Sequence, residues 1–527
     1  MNSTLADPNG LLLGSTGETG ESGYGTSTLS YGVAAFATTL LSLIAIVSYQ
    51  PRVHEKSPAF TRDTSPIIGS LGFLTRQWSF WKSSTDGLTK NFSFWLGSRH
   101  VVGITGQAAR RMFYDNPDLC FVSQAIIQPF GVHFWPPVHA IFKAGFHSGH
   151  NNTFFLRRLM ELMKTEELKK VLPKALSDVH NDLENLLSNG RKSSVTSAPD
   201  IWRTVFKQNA RLTFCDEVVD DAKLFERCAE DVGTLLHTYS HYNVLFSWLP
   251  APSYIKRRLA RRDLVQLVTQ MVNKRIKEKT PSKDDPLQRL INNRDNKEHI
   301  IEFFVSILFI STTNGHAIAG QLLNIMAIHP EWQEKIYQEI KAAVQAHGKF
   351  QEGTLAEKLR LLPLEAWETS FPTINMCLKE TIRMWTSFTV TRLNTSSKPI
   401  PIPDTDEVVP AKTFVIYNST EVNFSEKLYP NPTKFDPERY NEDREEFKKE
   451  TYGFLGWGQG CHACVGMRWA KLQQTIIVAT ALAMYQWSSC DANGEPDPYV
   501  KHRRILDSDH AFHLPPAYCK VVPREVW

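Results

Sequence analysis

Apolar residues without a single charge fill the segment from Tyr31 to Tyr49, which reads YGVAAFATTLLSLIAIVSY. As a helix with a rise of ~1.5 Å per residue, this segment would be about 28 Å long, close to the thickness of a bilayer core. Arg52, Lys56 and Arg62 follow it, whereas residues 1–30 contain no Lys or Arg. Because positive charge favours the cytosolic side, the pattern predicts a lumenal tail over residues 1–30, a transmembrane anchor over residues 31–49 and a cytosolic remainder.

A cleaved signal peptide is the alternative interpretation of this segment. It would need a positively charged start and an earlier, shorter apolar run, and the chain has neither. The predicted orientation places the sequon Asn2-Ser3-Thr4 in the lumen, where Asn2 is a glycosylation candidate. Pro51 and Pro58 cannot continue a helix, so residues 50–65 are predicted to form a hinge before a single large domain over residues 66–527.

The periodicity of this domain changes along the chain. Phe92 to Ile104 alternates apolar residues and predicts a pair of strands. From Thr105 to about Gly348 the spacing is mostly helical. The Pro-rich segment Ile400 to Tyr417 indicates short strands, and a long helix is predicted over Val465 to Met484. The sequence therefore predicts a mainly α fold with a minor β component.

The most apolar predicted helix runs from Ile300 to Pro330, and apolar residues cover most of its circumference. A helix of this kind is buried on all sides. The polar cluster from Ser311 to His316 interrupts its middle, and we expect this cluster to line a cavity. An internally satisfied kink is the alternative.

Val244 to Pro250 forms an apolar and aromatic segment. The helix start that follows it is basic and contains Lys256, Arg257, Arg258, Arg261 and Arg262. Two interpretations stay open: a loop that enters the lipid headgroup region, or a buried loop beside a solvated basic helix.

Composition narrows the class of protein. The 527 residues are 42% hydrophobic and 22% charged, which is ordinary for a globular protein. A formal net charge of +4 is too small for a nucleic-acid footprint, so no nucleic-acid partner is expected. Eight cysteines are too sparse for a disulfide scaffold and fit reduced thiols in a chain that faces the cytosol.

The strongest chemical motif is the segment from Trp457 to Ala470, WGQGCHACVGMRWA. Its glycines allow a tight loop that can lie against a flat ligand, and a helix is predicted to follow. Backbone N–H groups in such a loop and at the helix start stabilise a negative sulfur. This environment suits Cys464 as the axial thiolate ligand of a haem iron, with His462 placed to reach a propionate.

Cys461 and Cys464 also form a CxxC pair, which is compatible with half of a zinc site or with a redox pair. A zinc site would need a second pair of ligands, and the chain has no other CxxC and no nearby CxxH. A redox pair of this type is expected beside a βαβ pattern, which is missing.

The loop around Cys464 resembles the haem-binding signature of the cytochromes P450, with Trp457 where Phe is usual. Glu380-Thr381-Ile382-Arg383 resembles the ExxR motif of the same family, and Phe435 to Tyr440 resembles the segment whose Arg439 completes a buried network with it. The resemblance spans residues 60–527 and is greatest to fungal microsomal members. It implies a cytochrome P450 fold, haem b as the cofactor, and structural roles for Glu380, Arg383 and Arg439.

The resemblance also implies further contacts with the cofactor. Arg392 lies where the family places a propionate-binding arginine, and Trp457 lies at a position that packs near the haem. Phe154 to Arg158 resembles the helix that supplies a second propionate arginine, although the usual Trp is missing. Arg158 is our candidate there.

The buried helix departs from the family pattern. Members usually have an acid followed by Thr at its centre, which relay protons during dioxygen activation, but this chain has Thr313 and Asn314. An amide cannot relay protons as a carboxylic acid can. Members that lack the pair include isomerases and dehydratases that need no external electrons, and others remain monooxygenases.

The resemblance therefore implies a haem-dependent monooxygenase that hydroxylates, epoxidises or desaturates a small apolar substrate in fungal secondary metabolism. An NADPH-dependent flavin reductase would supply electrons, at the endoplasmic reticulum membrane. The alternatives are an oxygen-independent isomerase or dehydratase and a non-catalytic haem- or lipid-binding membrane protein. The residues expected to line the substrate pocket are Thr312, Thr313, Asn314, Ser387, Phe388 and Val390.

Overall fold

The computed structural model describes most of the chain. The described ranges are 24–65, 68–85, 91–120, 140–142, 153–187, 194–197, 201–238, 244–245, 251–278, 283–347, 352–386, 389–496 and 517–524. Two compact units are distinguished, Met1–Tyr49 and Gln50–Trp527. The lumenal tail, Asn2, Ser387 and Phe388 were named from the sequence and lie outside the described residues, as does most of the Val244 to Pro250 segment.

The first unit contains one helix, α1, which spans Tyr24–Ser48. Its described side chains are exposed, and Tyr31 and Phe36 keep 73% and 72% of their accessible surface. Its described apolar part, Tyr31–Ser42, is shorter than the ~20 residues that a membrane-spanning helix needs. The anchor over residues 31–49 stays a prediction.

The second unit is mainly helical. The helices from the start of this unit to the central one are α2 (Gly72–Thr75), α3 (Gln77–Thr85), α4 (Gln107–Asp115), α5 (Phe154–Leu162), α6 (Thr165–Leu187), α7 (Trp202–Thr213), α8 (Asp216–Asp220), α9 (Ala222–His237), α10 (Pro252–Glu278), α11 (Pro286–Asn292) and α12 (Lys297–Ile328). The helices after it are α13 (Pro330–His347), α14 (Leu355–Leu359), α15 (Leu364–Thr369), α16 (Pro372–Trp385), α17 (Thr420–Asn423) and α18 (Met467–Met484).

Ten short strands form the minor β component. They are β1 (Phe92–Leu96), β2 (Arg99–Gly103), β3 (Leu119–Cys120), β4 (Ser194–Ser197), β5 (Thr389–Asn394), β6 (Ile400–Pro401), β7 (Val408–Val409), β8 (Phe414–Asn418), β9 (Tyr485–Cys490) and β10 (Tyr518–Pro523). The largest sheet has the order β1-β2-β8-β5-β3, and the others are β4-β10-β9 and β6-β7. The predicted strand pair is confirmed, because β1 and β2 pair antiparallel.

Helix α12 is the central helix, and its burial was predicted from the sequence. The Asn296 side chain caps its first turn by accepting bonds from the amides of Glu298 and His299. Within the described residues α12 is the one helix long and apolar enough to cross a membrane, but 67% of its most apolar window is buried inside the protein. It is therefore a core helix.

A buried ion network joins α16 to the segment before the Cys464 loop. Arg383 donates from Nε and Nη2 to the two oxygens of Glu380, at 2.8 and 2.7 Å. Arg439 donates to Glu380 at 3.3 Å and to Glu446 at 2.7 Å. Because the two charges of the α16 pair are fully buried, each ion depends on its partners for solvation. The structure thus brings Glu380, Arg383 and Arg439 together and adds Glu446, which the sequence did not indicate.

Candidate haem site

The loop before α18 is held in shape by two glycines with left-handed backbone. Gly458 has φ +64° and Gly460 has φ +56°. A Cβ atom at Gly460 would lie 2.3 Å from the carbonyl oxygen of Tyr114 in α4, so no side chain fits there. The loop can therefore pack directly on the end of α4.

Cys464 lies at the end of this loop, three residues before α18 begins. Its backbone amide donates to the Trp457 carbonyl at 2.7 Å, which closes the loop. Burial raises the pKa of the thiol, and a hydrogen bond from the backbone amide of Gly466 lowers it. The side chain is nevertheless exposed. We call the open space beside Cys464 and Gly466 the recess.

The recess is open at Gly466, two residues after Cys464. A Cβ atom at Gly466 would meet no protein atom within 4 Å, whereas one at Gly456 or Gly460 would clash. Because burial disfavours the thiolate, the ionised form needs a positive partner, and a metal ion bound to sulfur supplies one. The residues around Cys464 fit a haem iron.

Arg392, in β5, is a buried cation that forms no ion pair with any described carboxylate. Its side chain is 1% exposed and donates from Nη1 to the Phe113 carbonyl at 2.8 Å. Its Nε has no partner in the described part of the chain. Burial lowers its pKa to about 10. A buried guanidinium of this kind favours an anionic partner, and a propionate carboxylate is one.

The other residues predicted to touch the cofactor differ in how many protein partners they have. Arg158 pairs with Glu161 at 2.6 Å and with Asp295 at 2.5 Å, so protein carboxylates already balance its charge. A propionate would have to compete with both, and its predicted role stays a prediction. His462 Nε2 lies 3.2 Å from the Leu119 carbonyl oxygen. The Trp457 Nε1 is buried and has no partner among the described atoms.

The middle of α12 has one exposed residue in a buried helix, and this residue is Asn314. The hydroxyl of Thr313 donates to the Phe309 carbonyl at 2.7 Å, and that of Thr312 donates to Leu308 at 2.8 Å. Asn314 is therefore exposed on the middle turn of α12, and the cavity expected beside it stays a prediction. Val390, in β5, is half-buried.

His316 is the only titratable side chain in the polar cluster of α12. Its Nδ1 lies 2.9 Å from the Thr312 carbonyl oxygen. Burial lowers its pKa to about 4, so the ring is neutral near neutral pH. No carboxylic acid lies between Ser311 and His316. The middle turn of α12 therefore lacks the acid that the family usually has before Thr.

The zinc and redox alternatives for the CxxC pair gain no support from the described residues. Cys461 donates from Sγ to the Asp115 carbonyl at 3.0 Å, toward α4. No cluster of three or more His, Cys, Asp or Glu side chains with metal-binding geometry occurs in the ranges that the structure describes.

Sequence and structure comparisons identify the family. The sequence model described as Cytochrome P450 matches residues 59–514. The chain is 55% identical over 499 residues to the cytochrome P450 monooxygenase nsrP of Aspergillus novofumigatus, which covers 94% of this chain and 96% of that protein. It is 45% identical to the cytochrome P450 monooxygenase AacuE of Aspergillus aculeatus, over 94% and 98% of the two chains.

A solved structure shows the same fold. Retinoic acid bound cyanobacterial CYP120A1 superposes with a TM-score of 0.65 at 18% identity, over 90% of this chain and all of that one. The mainly α fold predicted from the sequence is thereby confirmed. The chain belongs to the cytochrome P450 family of haem-thiolate proteins, and it is a haem-dependent monooxygenase of the fungal type.

Proposed function

We propose that Cys464 is the axial thiolate of haem b and that Arg392 binds one of its propionates. The observation that carries the proposal is the exposure of Cys464 beside the open space at Gly466. When bound, the haem supplies dioxygen activation with two electrons from NADPH. The amide of Gly466 donates to the sulfur and favours its ionised form.

The substrate is proposed to lie on the α12 side of the recess, against Asn314 and Val390. The side chains available there are apolar or neutral, so a small apolar molecule fits better than an ion. Hydroxylation, epoxidation or desaturation of an intermediate of fungal secondary metabolism is the activity we propose. The names of the relatives, which are cytochrome P450 monooxygenases from Aspergillus species, support the monooxygenase part.

The amide of Asn314 is not acidic enough to transfer a proton. The hydroxyl of Thr313 already donates its hydrogen to the Phe309 carbonyl. Protons are therefore proposed to arrive through water or a substrate hydroxyl, with Asn314 orienting that group by hydrogen bonds. Product formation should need NADPH, reductase and dioxygen. Turnover of the substrate without all three would instead assign the oxygen-independent isomerase or dehydratase activity.

An acidic flavin reductase is the proposed electron donor, on the side nearest the Cys464 loop. The pKa of Lys379 is lowered by burial and by the charges of Lys471 and Lys448, whereas Glu445, which pairs with Lys448, raises it. Three lysines and one glutamate therefore lie close together, with an excess of positive charge. A positive patch of this kind attracts an acidic partner. The charge-reversed variant Lys471→Glu should raise the reductase concentration needed for half-maximal turnover and leave the spectrum of the haem unchanged.

Membrane attachment is proposed to follow from α1. Residues 31–49 would span the endoplasmic reticulum membrane once, with residues 1–30 and a glycosylated Asn2 in the lumen. The exposed apolar surface of α1 and the absence of charge over residues 31–49 support this topology.

The carbon monoxide difference spectrum of dithionite-reduced membranes tests the assignment of Cys464. The wild type should show the far-red-shifted Soret band that a thiolate ligand produces, and Cys464→Ser should lose it. Cys461→Ser is the matched control, because it removes a neighbouring thiol that bonds Asp115. A shifted band that survives in Cys464→Ser, or disappears in Cys461→Ser alone, would refute the assignment.

A further inference from the structure

A buried asparagine connects the central helix α12 with α18, the helix that follows Cys464. Asn209, in α7, is 1% exposed. Its Nδ2 donates to the Ser311 carbonyl of α12 at 3.0 Å. Its Oδ1 accepts from Trp469 Nε1 at 2.9 Å and from Gln473 Nε2 at 3.0 Å, both in α18. One amide therefore bonds the central helix and the helix that follows Cys464.

A second buried amide reinforces this connection. Gln474, also in α18, donates from Nε2 to the Gly315 carbonyl of α12 at 3.1 Å. Gly315 allows the close approach, because a Cβ atom there would lie 3.1 Å from Gln473 Oε1 and 3.2 Å from Val205 Cγ1. Both carbonyls that receive these bonds are one helical turn apart, and they bracket Thr312, Thr313 and Asn314.

We propose that Asn209 is a positioning residue, whose amide clamps the Ser311 carbonyl and so fixes the Thr312 to Asn314 turn relative to the helix behind Cys464. We call the contact of Asn209 with Ser311, Trp469 and Gln473 the amide clamp. The proposal rests on the proposed function in one respect, since it takes the Asn314 face as the side where substrate and dioxygen bind.

The chemistry of the clamp requires an amide. Only an amide side chain of this length donates to a carbonyl with one end and accepts two N–H groups with the other. A carboxylate would keep the bonds from Trp469 and Gln473 but would repel the Ser311 carbonyl. An aliphatic side chain would release that carbonyl, leave the buried Trp469 N–H unpaired and leave Gln473 Nε2 with only its bond to the Val205 carbonyl.

Loss of the bond from Asn209 to the Ser311 carbonyl should affect the middle turn of α12 before any other part of the protein. The helical amide of Gly315 is the other group that bonds this carbonyl in a regular α-helix. Without the clamp, the turn opens more often, and Asn314 loses its fixed position over the recess. The consequence is a changed position of Asn314 relative to α18, while Cys464 would still be able to hold the haem.

The variants Asn209→Asp and Asn209→Leu test the proposal, with Gln208→Met as the matched control. Gln208 is the neighbouring residue of α7, it is fully buried, and neither of its amide atoms has a partner among the described residues. The control therefore removes a buried amide from the same helix without touching the clamp. Asn209→Asp keeps the α18 contacts and loses the one to Ser311.

Two measurements on the full-length membrane protein report on the turn. Hydrogen exchange of peptides covering Ile310 to Ile318 should be about fivefold faster in both Asn209 variants, which corresponds to the loss of one hydrogen bond worth ~1 kcal/mol. Spectral titration should show that the affinity for 4-phenylimidazole changes several-fold relative to that for imidazole, because only the bulky ligand reaches the α12 turn. Gln208→Met should match the wild type in both.

The outcomes separate the clamp from the haem assignment. The clamp would be overturned if folded Asn209→Asp and Asn209→Leu showed the wild-type hydrogen-exchange rate and the wild-type ratio of the two ligand affinities. It would also be overturned if Gln208→Met changed both quantities as much as the Asn209 variants do. A wild type without a thiolate spectrum would refute the role of Cys464, yet the exchange experiment would still decide whether Asn209 holds α12. If Asn209→Leu fails to fold, Asn209→Asp alone decides.

Discussion

At the scale of single residues, Arg392 gives the most specific prediction. Its charge is buried without a carboxylate partner in the described structure, so Arg392→Met should leave the haem-free protein within ~1 kcal/mol of the wild-type stability. It should also weaken haem retention, because the propionate loses its counter-ion. Haem content per folded chain, measured by pyridine haemochrome, and chemical unfolding of the haem-free chain give the two values.

Arg110→Met is the control for that experiment. Arg110 is also buried, but it pairs with Glu450 at 3.0 Å. Its removal leaves a carboxylate without its partner and should cost about 2 kcal/mol in the haem-free protein. If both variants lost the same share of their haem under conditions where their haem-free forms are equally stable, a specific role for Arg392 would be contradicted.

His316 predicts how stability depends on pH. Burial lowers its pKa from 6.5 to about 4 in the folded protein, so below about pH 6.5 the unfolded chain binds a proton that the folded chain does not. Stability is therefore lost as pH falls from about 6.5 toward 4, by at most about 2 kcal/mol at pH 5 for this group. Denaturant unfolding should show that His316→Phe loses less stability than the wild type between about pH 7.5 and pH 5. Parallel losses in the two proteins would exclude His316 as a contributor.

At the scale of elements, the two glycines of the Cys464 loop should behave differently. Gly460→Ala places a methyl group 2.3 Å from the Tyr114 carbonyl at a left-handed φ, so it should destabilise the fold even without haem. Gly466→Ala places its methyl group in open space at φ −82°, so the haem-free protein should be unaffected. Its haem content should fall, because that space lies beside the sulfur. Unfolding curves and haem content together distinguish the two, and normal haem content in Gly466→Ala would contradict the placement of the cofactor.

Elements defined by a local pattern could be predicted from the sequence. The paired strands β1 and β2 fall within the predicted Phe92 to Ile104 segment, and α12 begins three residues before the predicted Ile300. Hydrophobic periodicity is a property of neighbouring residues, so it is visible in one segment. The loop around Cys464 was visible for the same reason.

Contacts between distant residues could not be predicted in this way. Asn209 meets Ser311 and Trp469, which are 102 and 260 residues away along the chain. Glu446 joins the network of Arg439 through a short 3-10 turn whose acid has no motif of its own. Arg158 was placed by resemblance, and the acids Glu161 and Asp295 that pair with it became apparent only in the fold.

At the scale of the whole molecule, the two compact units suggest separate tasks. The unit Gln50–Trp527 contains Cys464, Arg392 and α12, and the unit Met1–Tyr49 contains α1. Every residue assigned to the chemistry therefore belongs to the second unit. Membrane attachment and haem binding should be separable by mutation.

The last prediction follows from that separation. Replacing Leu41 and Ile44 by Arg in the full chain puts two charges into the predicted span, at a cost of about 3 kcal/mol each near its centre. The variant should leave the membrane fraction and lose glycosidase-sensitive modification of Asn2, while it keeps the shifted Soret band of the reduced carbon monoxide complex. Membrane flotation, glycosidase treatment and the spectrum measure the three properties on one sample. If the wild-type chain instead lacks residues 1–49 and resides in the lumen, the segment is a signal peptide, because a cleaved leader and a retained anchor cannot leave the same mature N-terminus.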